Sequence, residues 1–274
     1  MAKVLKIGIV GCGAIGSSLA GIIAKDFSKR AKLTALYDID KAKSAKLSSL
    51  VSGSSRLKTE SLVSLINKSE LVIEASSGKC SADIAKRVLS KGHSIIVMSV
   101  GGLLENFKQL YGLAQSHNAR LYIPSGAIAG IDALKALNCS RINSVTLTTK
   151  KPPKAFQGVS YVAEKKIGLD NLKKEKIIFE GDVYAAIKAF PQNINVAATL
   201  SIAGIGPRRT QVRIIASPEI TKNIHEVRIE SDAGSVVTYT QNVIHPRNPK
   251  TSYLAVLSAV AVLKNILEPV RAGA

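Results

Sequence analysis

The chain has 274 residues, 46% of them hydrophobic and 21% charged, enough apolar material for one large or two modest globular domains and too much for a disordered chain. Its 38 basic against 19 acidic residues give a net charge of +19, which favours anionic partners, yet the lysines are dispersed and aromatic residues make up only 4%. Neither a basic stripe nor a stacking platform for nucleic acid is present, and no run of about 18 uncharged apolar residues suggests a membrane span. Met1–Leu5 lacks the charge, apolar and small-residue order of a signal peptide, so the protein is expected in the cytoplasm. Cys12, Cys80 and Cys139, and His93, His117, His225 and His245, are scattered without metal-ligand spacing, so no metal is expected.

In chain order, Lys6–Val10 is a short apolar run bounded by glycine and predicts a buried parallel strand. Gly11-Cys-Gly-Ala-Ile-Gly16 follows, then a helix over Ser17–Lys25 and a second strand over Leu33–Tyr37 that ends at Asp38. Helices are expected at Lys41–Leu50 and Leu62–Asn67, a strand at Leu71–Ala75, and a helix at Ala82–Lys91 closed by Gly92. A strand at Ser94–Val100, a helix at Leu104–Ser116 and a strand at Arg120–Ile123 continue the rhythm. Strands alternating with helices imply a parallel sheet covered on both faces, a Rossmann-type α/β domain.

The pattern then changes. Pro124–Gly130 breaks the rhythm, and Ser144–Thr149, Val212–Ala216, Ile224–Glu230 and Ser235–Gln241 alternate as half-buried strands. This predicts a second α+β domain with a largely antiparallel sheet. Thr251–Leu267 reads as one amphipathic helix. The expected division is a dinucleotide-binding domain over 1–125, a substrate-binding and dimerisation domain over 126–249, and a C-terminal helix over 250–274 packing back on the first domain.

Gly11, Gly13 and Gly16 form G-x-G-x-x-G between a predicted strand and a predicted helix. The first glycine permits the tight turn, the second lets backbone approach a pyrophosphate, and the third lets helix and strand pack closely. The helix N-terminus, with Ala14 and Ile15, offers N–H groups to the phosphates. Asp38 stands about 20 residues on, where a carboxylate accepts the adenosine ribose hydroxyls, or else caps the next helix. A carboxylate there repels a 2′-phosphate and favours NAD, while Lys41 and Lys43 leave NADP open. Ala75 and Ser76, and Ser99, follow later strands at the sheet edge where cofactors lie in open α/β folds.

Four segments of the second half carry a resemblance: Pro124-Ser-Gly-Ala-Ile, Asn193-Ile-Asn-Val-Ala-Ala198, Asn223-Ile-His225 and Asn248-Pro-Lys-Thr-Ser252. Together, in this order over nearly the whole chain, they resemble the L-aspartate dehydrogenase family. The resemblance implies NAD(P)-dependent oxidation of L-aspartate to iminoaspartate, which feeds NAD biosynthesis or hydrolyses to oxaloacetate and ammonia, by a homodimer. It also implies that Ala127 and Asn195 contact the cofactor and that His225 is the active-site histidine. Asn193, Asn195, His225, Thr251 and Ser252 are the candidate substrate residues. The sequence departs from the family pattern at Ala129, where a glycine is common, and it carries a second histidine, His245, that leaves the choice of catalytic histidine open. Histidine suits the task, since amine oxidation must dispose of a proton near neutral pH. Arg208 and Arg209 are weaker candidates for a substrate carboxylate. The alternatives are another two-domain oxidoreductase, dihydrodipicolinate-reductase-like or homoserine-dehydrogenase-like, or a non-catalytic dinucleotide sensor that binds DNA.

Overall fold

The computed structural model describes residues 4–191, 194–245 and 248–273, without the side chains of 248–251. The chain divides into two compact units, Met1–Pro124 with Val256–Arg271, and Ser125–Ala255 with Ala272–Ala274.

In the first unit, β1 (Leu5–Val10), α1 (Ala14–Asp26), β2 (Ala31–Tyr37), α2 (Lys41–Ser52), α3 (Leu62–Asn67), β3 (Leu71–Glu74), α4 (Gly78–Leu89), β4 (Ser94–Val97), α5 (Phe107–Ser116) and β5 (Leu121–Tyr122) follow one another. The five strands form a parallel sheet in the order β2-β1-β3-β4-β5. Ile7, Ile9, Leu71, Ile73 and Ile96 fill its interior against Leu19, Ala20 and Ile23 of α1 and against Val256, Ala259 and Leu263 from the C-terminal helix. These strands are covered on both faces, which is why they read as continuous apolar runs. The chain leaves β1 toward β2 on one side and returns to β3 on the other. The ends of β1 and β3 are therefore the switch point at which such sheets open a crevice.

Local boundaries differ from the sequence expectation at two places. The strand expected to reach Val100 stops at Val97, and Val100–Asn106 winds as a 3-10 helix before α5. Within that 3-10 helix Gly102 packs so closely on Gly78 that a Cβ would strike the Gly78 carbonyl and the Ser81 hydroxyl. Helix α4 starts at Gly78, four residues ahead of Ala82, and its C-cap is Ser90; Gly92 turns left-handed (φ +72°) two residues later.

The second unit contains α6 (Ile131–Leu137), β6 (Ile142–Lys151), α7 (Ser160–Glu164), β7 (Lys176–Asp182), α8 (Val183–Ala189), α9 (Asn195–Ala203), β8 (Thr210–Ala216), β9 (Asn223–Ser231), β10 (Gly234–Asn242), β11 (Ile244–His245) and β12 (Asn248–Ser252), then the start of α10 (Tyr253–Leu267). Its main sheet runs β10-β9-β6-β8-β7, antiparallel except for the parallel β6–β8 pair. Val145, Leu147, Val212, Ile214, Val227 and Ile229 are buried on one face, whereas Arg213 and Arg228 on the other are exposed. Strand β7 is an addition to the expected sheet.

Candidate active site

The glycine turn separates fold requirements from ligand requirements. Gly11 is left-handed (φ +92°), and the Ala75 carbonyl and Ser76 nitrogen lie 2.5 and 2.7 Å from where its Cβ would stand. A Cβ on Gly16 would strike the Gly11 carbonyl. These two glycines are required by packing at the β1–β3 exit. Gly13 is different: its φ of −74° and ψ of −162° suit any residue, and nothing lies within 4 Å of its Cβ position. The open space over Gly13 is what a pyrophosphate would occupy. Gly13 also caps α1 without a side chain, so the first-turn N–H groups of Ala14, Ile15 and Gly16 have no acceptor inside the helix. The residues present thus fit a dinucleotide.

Asp38, at the end of β2, accepts the Cys12 N–H at 2.7 Å and the Asp40 N–H at 2.9 Å. Its carboxylate braces the glycine turn and retains lone pairs for ribose hydroxyls. The N-cap of α2 is Asp40, which accepts the Ala42 N–H at 3.0 Å, and not Asp38. Lys41 pairs with Glu60 at 2.9 Å and Lys43 with Asp40 at 3.6 Å. The Cys12 thiol is pushed up to about 12, first by burial and then by the Asp38 charge, so it is no nucleophile at neutral pH.

The sequence reads Glu74-Ala-Ser-Ser77 as a strand-exit loop that lines the cofactor, and the structure adds a bracing contact within it. Glu74, the last residue of β3, is fully buried and accepts four hydrogen bonds: Ser76 N–H and Oγ–H at 2.7 Å each, and Ser99 N–H and Oγ–H at 3.0 Å each. Burial raises its pKa, and these four donors act against that rise. Glu74 therefore ties together the two strand-exit loops that hold Ala75, Ser76 and Ser99.

In the second unit, His225 on β9 lies opposite Thr149 on β6 and Thr240 on β10. It is 6% exposed, and its Nδ1 is hydrogen-bonded to Thr149 Oγ1 at 2.9 Å. Burial, and then the Lys151 charge, lower its pKa to about 3. The imidazole is neutral at physiological pH. Thr240 Oγ–H donates to the Ala127 carbonyl at 3.1 Å, and Asn242 Nδ2 donates to the same carbonyl at 3.0 Å. Ser252 Oγ–H donates to Asn242 Oδ1 at 2.9 Å. Ala127, His225 and Ser252 are thus brought together through Thr240 and Asn242, two residues that sequence reasoning did not select. The segment carrying Ala127 is left-handed at Gly126 and Gly130, while Ala129 only offers its carbonyl to Thr238 Oγ at 3.1 Å. An alanine at 129 therefore costs this loop no glycine-only conformation.

Asn195 is the exposed first residue of α9. Asn193 lies outside the described residues, as does the side chain of Thr251. His245 is buried in β11 with its ring edge-on to Tyr253, centroids 5.6 Å apart. The two arginines each make one neighbouring contact. Arg208 lies over the Tyr184 ring at 5.5 Å, and Arg209 donates to the Ile142 carbonyl at 3.2 Å. Among the described residues no cluster of three His, Cys, Asp or Glu side chains could hold a metal, and no helix is long and apolar enough to cross a membrane.

A glycine turn fitted to a dinucleotide on a parallel sheet, followed by a mixed sheet with a buried neutral histidine, defines a two-unit NAD(P)-dependent dehydrogenase. Residues 11–124 match the model for the homoserine dehydrogenase NAD-binding domain, and residues 132–266 match that for the aspartate dehydrogenase C-terminal domain. The L-aspartate dehydrogenase of Methanosarcina mazei is 45% identical over 98% of this chain and 99% of its own. That of Methanosarcina barkeri is 43% identical over the same shares. The crystal structure of aspartate dehydrogenase from Thermotoga maritima aligns with a TM-score of 0.73 at 25% identity, covering 99% of this chain and 100% of that one. The chain belongs to the L-aspartate dehydrogenase family.

Proposed function

We propose that this protein oxidises L-aspartate to iminoaspartate with NAD or NADP. The open space over Gly13, in a chain of this family, is the observation that carries the cofactor half of this reading. Gly11, Gly13, Ala14, Ile15 and Gly16 would hold the pyrophosphate and Asp38 the adenosine ribose, with Ala75, Ser76 and Ser99 lining the cofactor and Ala127 and Asn195 contacting it. The dinucleotide, when bound, supplies the hydride acceptor that no side chain provides.

The chain's own residues handle the proton. L-Aspartate must lose a proton from nitrogen as well as a hydride from Cα. His225 is the group for that proton: it is neutral, although burial and the Lys151 charge make it a weak base in the free enzyme. For Nε2 to be the accepting atom, Nδ1 must carry the hydrogen and donate it to Thr149, which sets the tautomer. Asn193, Thr251 and Ser252 complete the proposed substrate residues. His245, packed against Tyr253, is left a structural role.

The finer reading is a cytoplasmic homodimer whose imine enters NAD biosynthesis or hydrolyses to oxaloacetate and ammonia. Sedimentation of the purified protein tests the dimer. The activity is tested by NAD(P)H absorbance with L-aspartate against L-homoserine: growth with aspartate alone is expected, and growth with homoserine alone would refute the substrate.

A further inference from the structure

The inner face of the second unit's sheet ends in two polar rows. Thr149, His225 and Thr240 are register partners across β6, β9 and β10, and Asn223 and Asn242 are partners in the next row. Lys151 lies two residues beyond Thr149 on β6, so it projects to the same face, beside that second row. Unlike most lysines of this chain it is buried, at 8% exposure. It lines a cavity of about 1350 Å³ with Lys154, Lys165, Lys188 and Asn223, where among the described residues Glu164 is the one carboxylate against four ammonium groups.

We infer that Lys151 is a residue of the substrate site, where its ammonium holds a carboxylate of the dicarboxylate substrate at the wall of this cavity. The inference rests on L-aspartate being the substrate. A carboxylate brought to a buried ammonium gains more than at a surface lysine, because little water screens the pair. The surrounding lysines give the cavity the sign that collects a molecule with two carboxylates and net negative charge and discourages a neutral amino acid.

The same contact would couple binding to proton transfer. Desolvation lowers the Lys151 pKa to about 8, so at neutral pH it is mostly charged. That charge is the second cause of the low His225 pKa. A carboxylate paired with Lys151 cancels it, and His225 becomes a better proton acceptor when the amine to be deprotonated arrives.

Succinate, a dicarboxylate with no amine to oxidise, is the probe. Calorimetry on the NADH-loaded enzyme should show succinate affinity falling as pH rises through about 8, as Lys151 loses its proton. The other ionisable groups facing the cavity are Lys154, Tyr161, Glu164, Lys165 and Lys188, with His225 in the adjacent row. In Lys151→Met, succinate affinity should fall and the KM for L-aspartate should rise, each by about tenfold or more, with NADH affinity unchanged. Unaltered succinate affinity and KM in that variant overturn the inference. If the variant does not fold, a succinate affinity in the wild type that stays flat from about pH 7 to about pH 9 overturns it. A wild type that binds succinate with this pH dependence but does not oxidise L-aspartate keeps the carboxylate site and removes the substrate reading.

Discussion

Thr149 and His225 face each other across antiparallel strands, hydroxyl to Nδ1 at 2.9 Å, with the imidazole almost wholly out of water. This pair fixes which ring nitrogen can meet a substrate. Thr149→Val keeps the shape and removes the partner. It should lower stability by about 1–3 kcal/mol, the usual cost of a buried polar atom left unsatisfied, and lower kcat more than it changes KM. Thermal unfolding and steady-state kinetics read both.

Replacing His225 itself separates chemistry from cofactor binding. His225→Ala should lower aspartate turnover by roughly 100-fold or more while NADH still binds. Unchanged turnover, with His245→Ala inactive, would transfer the proton role to His245.

The buried imidazole also shapes acid stability. The unfolded chain takes up a proton at His225 near its ordinary pKa of 6.5, whereas the folded protein resists until about 3. A depressed folded pKa contributes stability that is present above 6.5 and lost as pH falls toward 3. His225→Gln should flatten the decline in unfolding free energy over that interval, measured by urea titration at several pH values.

The two kinds of glycine give opposite outcomes. Gly13→Ala should fold with wild-type stability and lose dinucleotide affinity, since its Cβ meets only open space. Gly16→Ala should lose stability, since its Cβ meets the Gly11 carbonyl. Circular dichroism and NADH fluorescence titration together distinguish them. Loss of stability in Gly13→Ala would contradict this division.

Glu74 gives a test of how the cofactor loops are held. Glu74→Gln replaces an acceptor with an NH₂ group that faces a backbone N–H of Ser76 or Ser99. It should lower stability by about 1–3 kcal/mol and weaken NADH binding, although Glu74 would touch no part of the ligand.

The Rossmann-type sheet was legible because its strands are buried on both faces, and Ile7–Val10 and Leu71–Ile73 show that as runs free of charge. The second sheet was legible only in part. Lys176–Asp182 begins with a lysine and contains glutamate, glycine and aspartate, as an exposed edge strand can, and its apolar Ile178 and Phe179 are adjacent instead of alternating. The parallel pairing of β6 with β8 has no local signal, since it depends on the connection between them. Within the proposed site, His225 and Ala127 were named through resemblance. Thr149 and Lys151 were missed because polar residues at a strand end resemble a solvated terminus. Their signal was phase: both continue the inward positions of Val145 and Leu147. Glu74 was read as the start of a cofactor-lining loop, and its four converging donors reveal that it braces the two loops.

The central claim is that this chain moves the Cα hydrogen of L-aspartate to a nicotinamide. Incubation with L-aspartate deuterated at Cα, followed by mass spectrometry of the reduced dinucleotide, tests it directly. The account predicts one deuterium in NADH or NADPH and a matching yield of ammonia. A reduced dinucleotide without deuterium, or none formed while the enzyme still binds NADH, would contradict it.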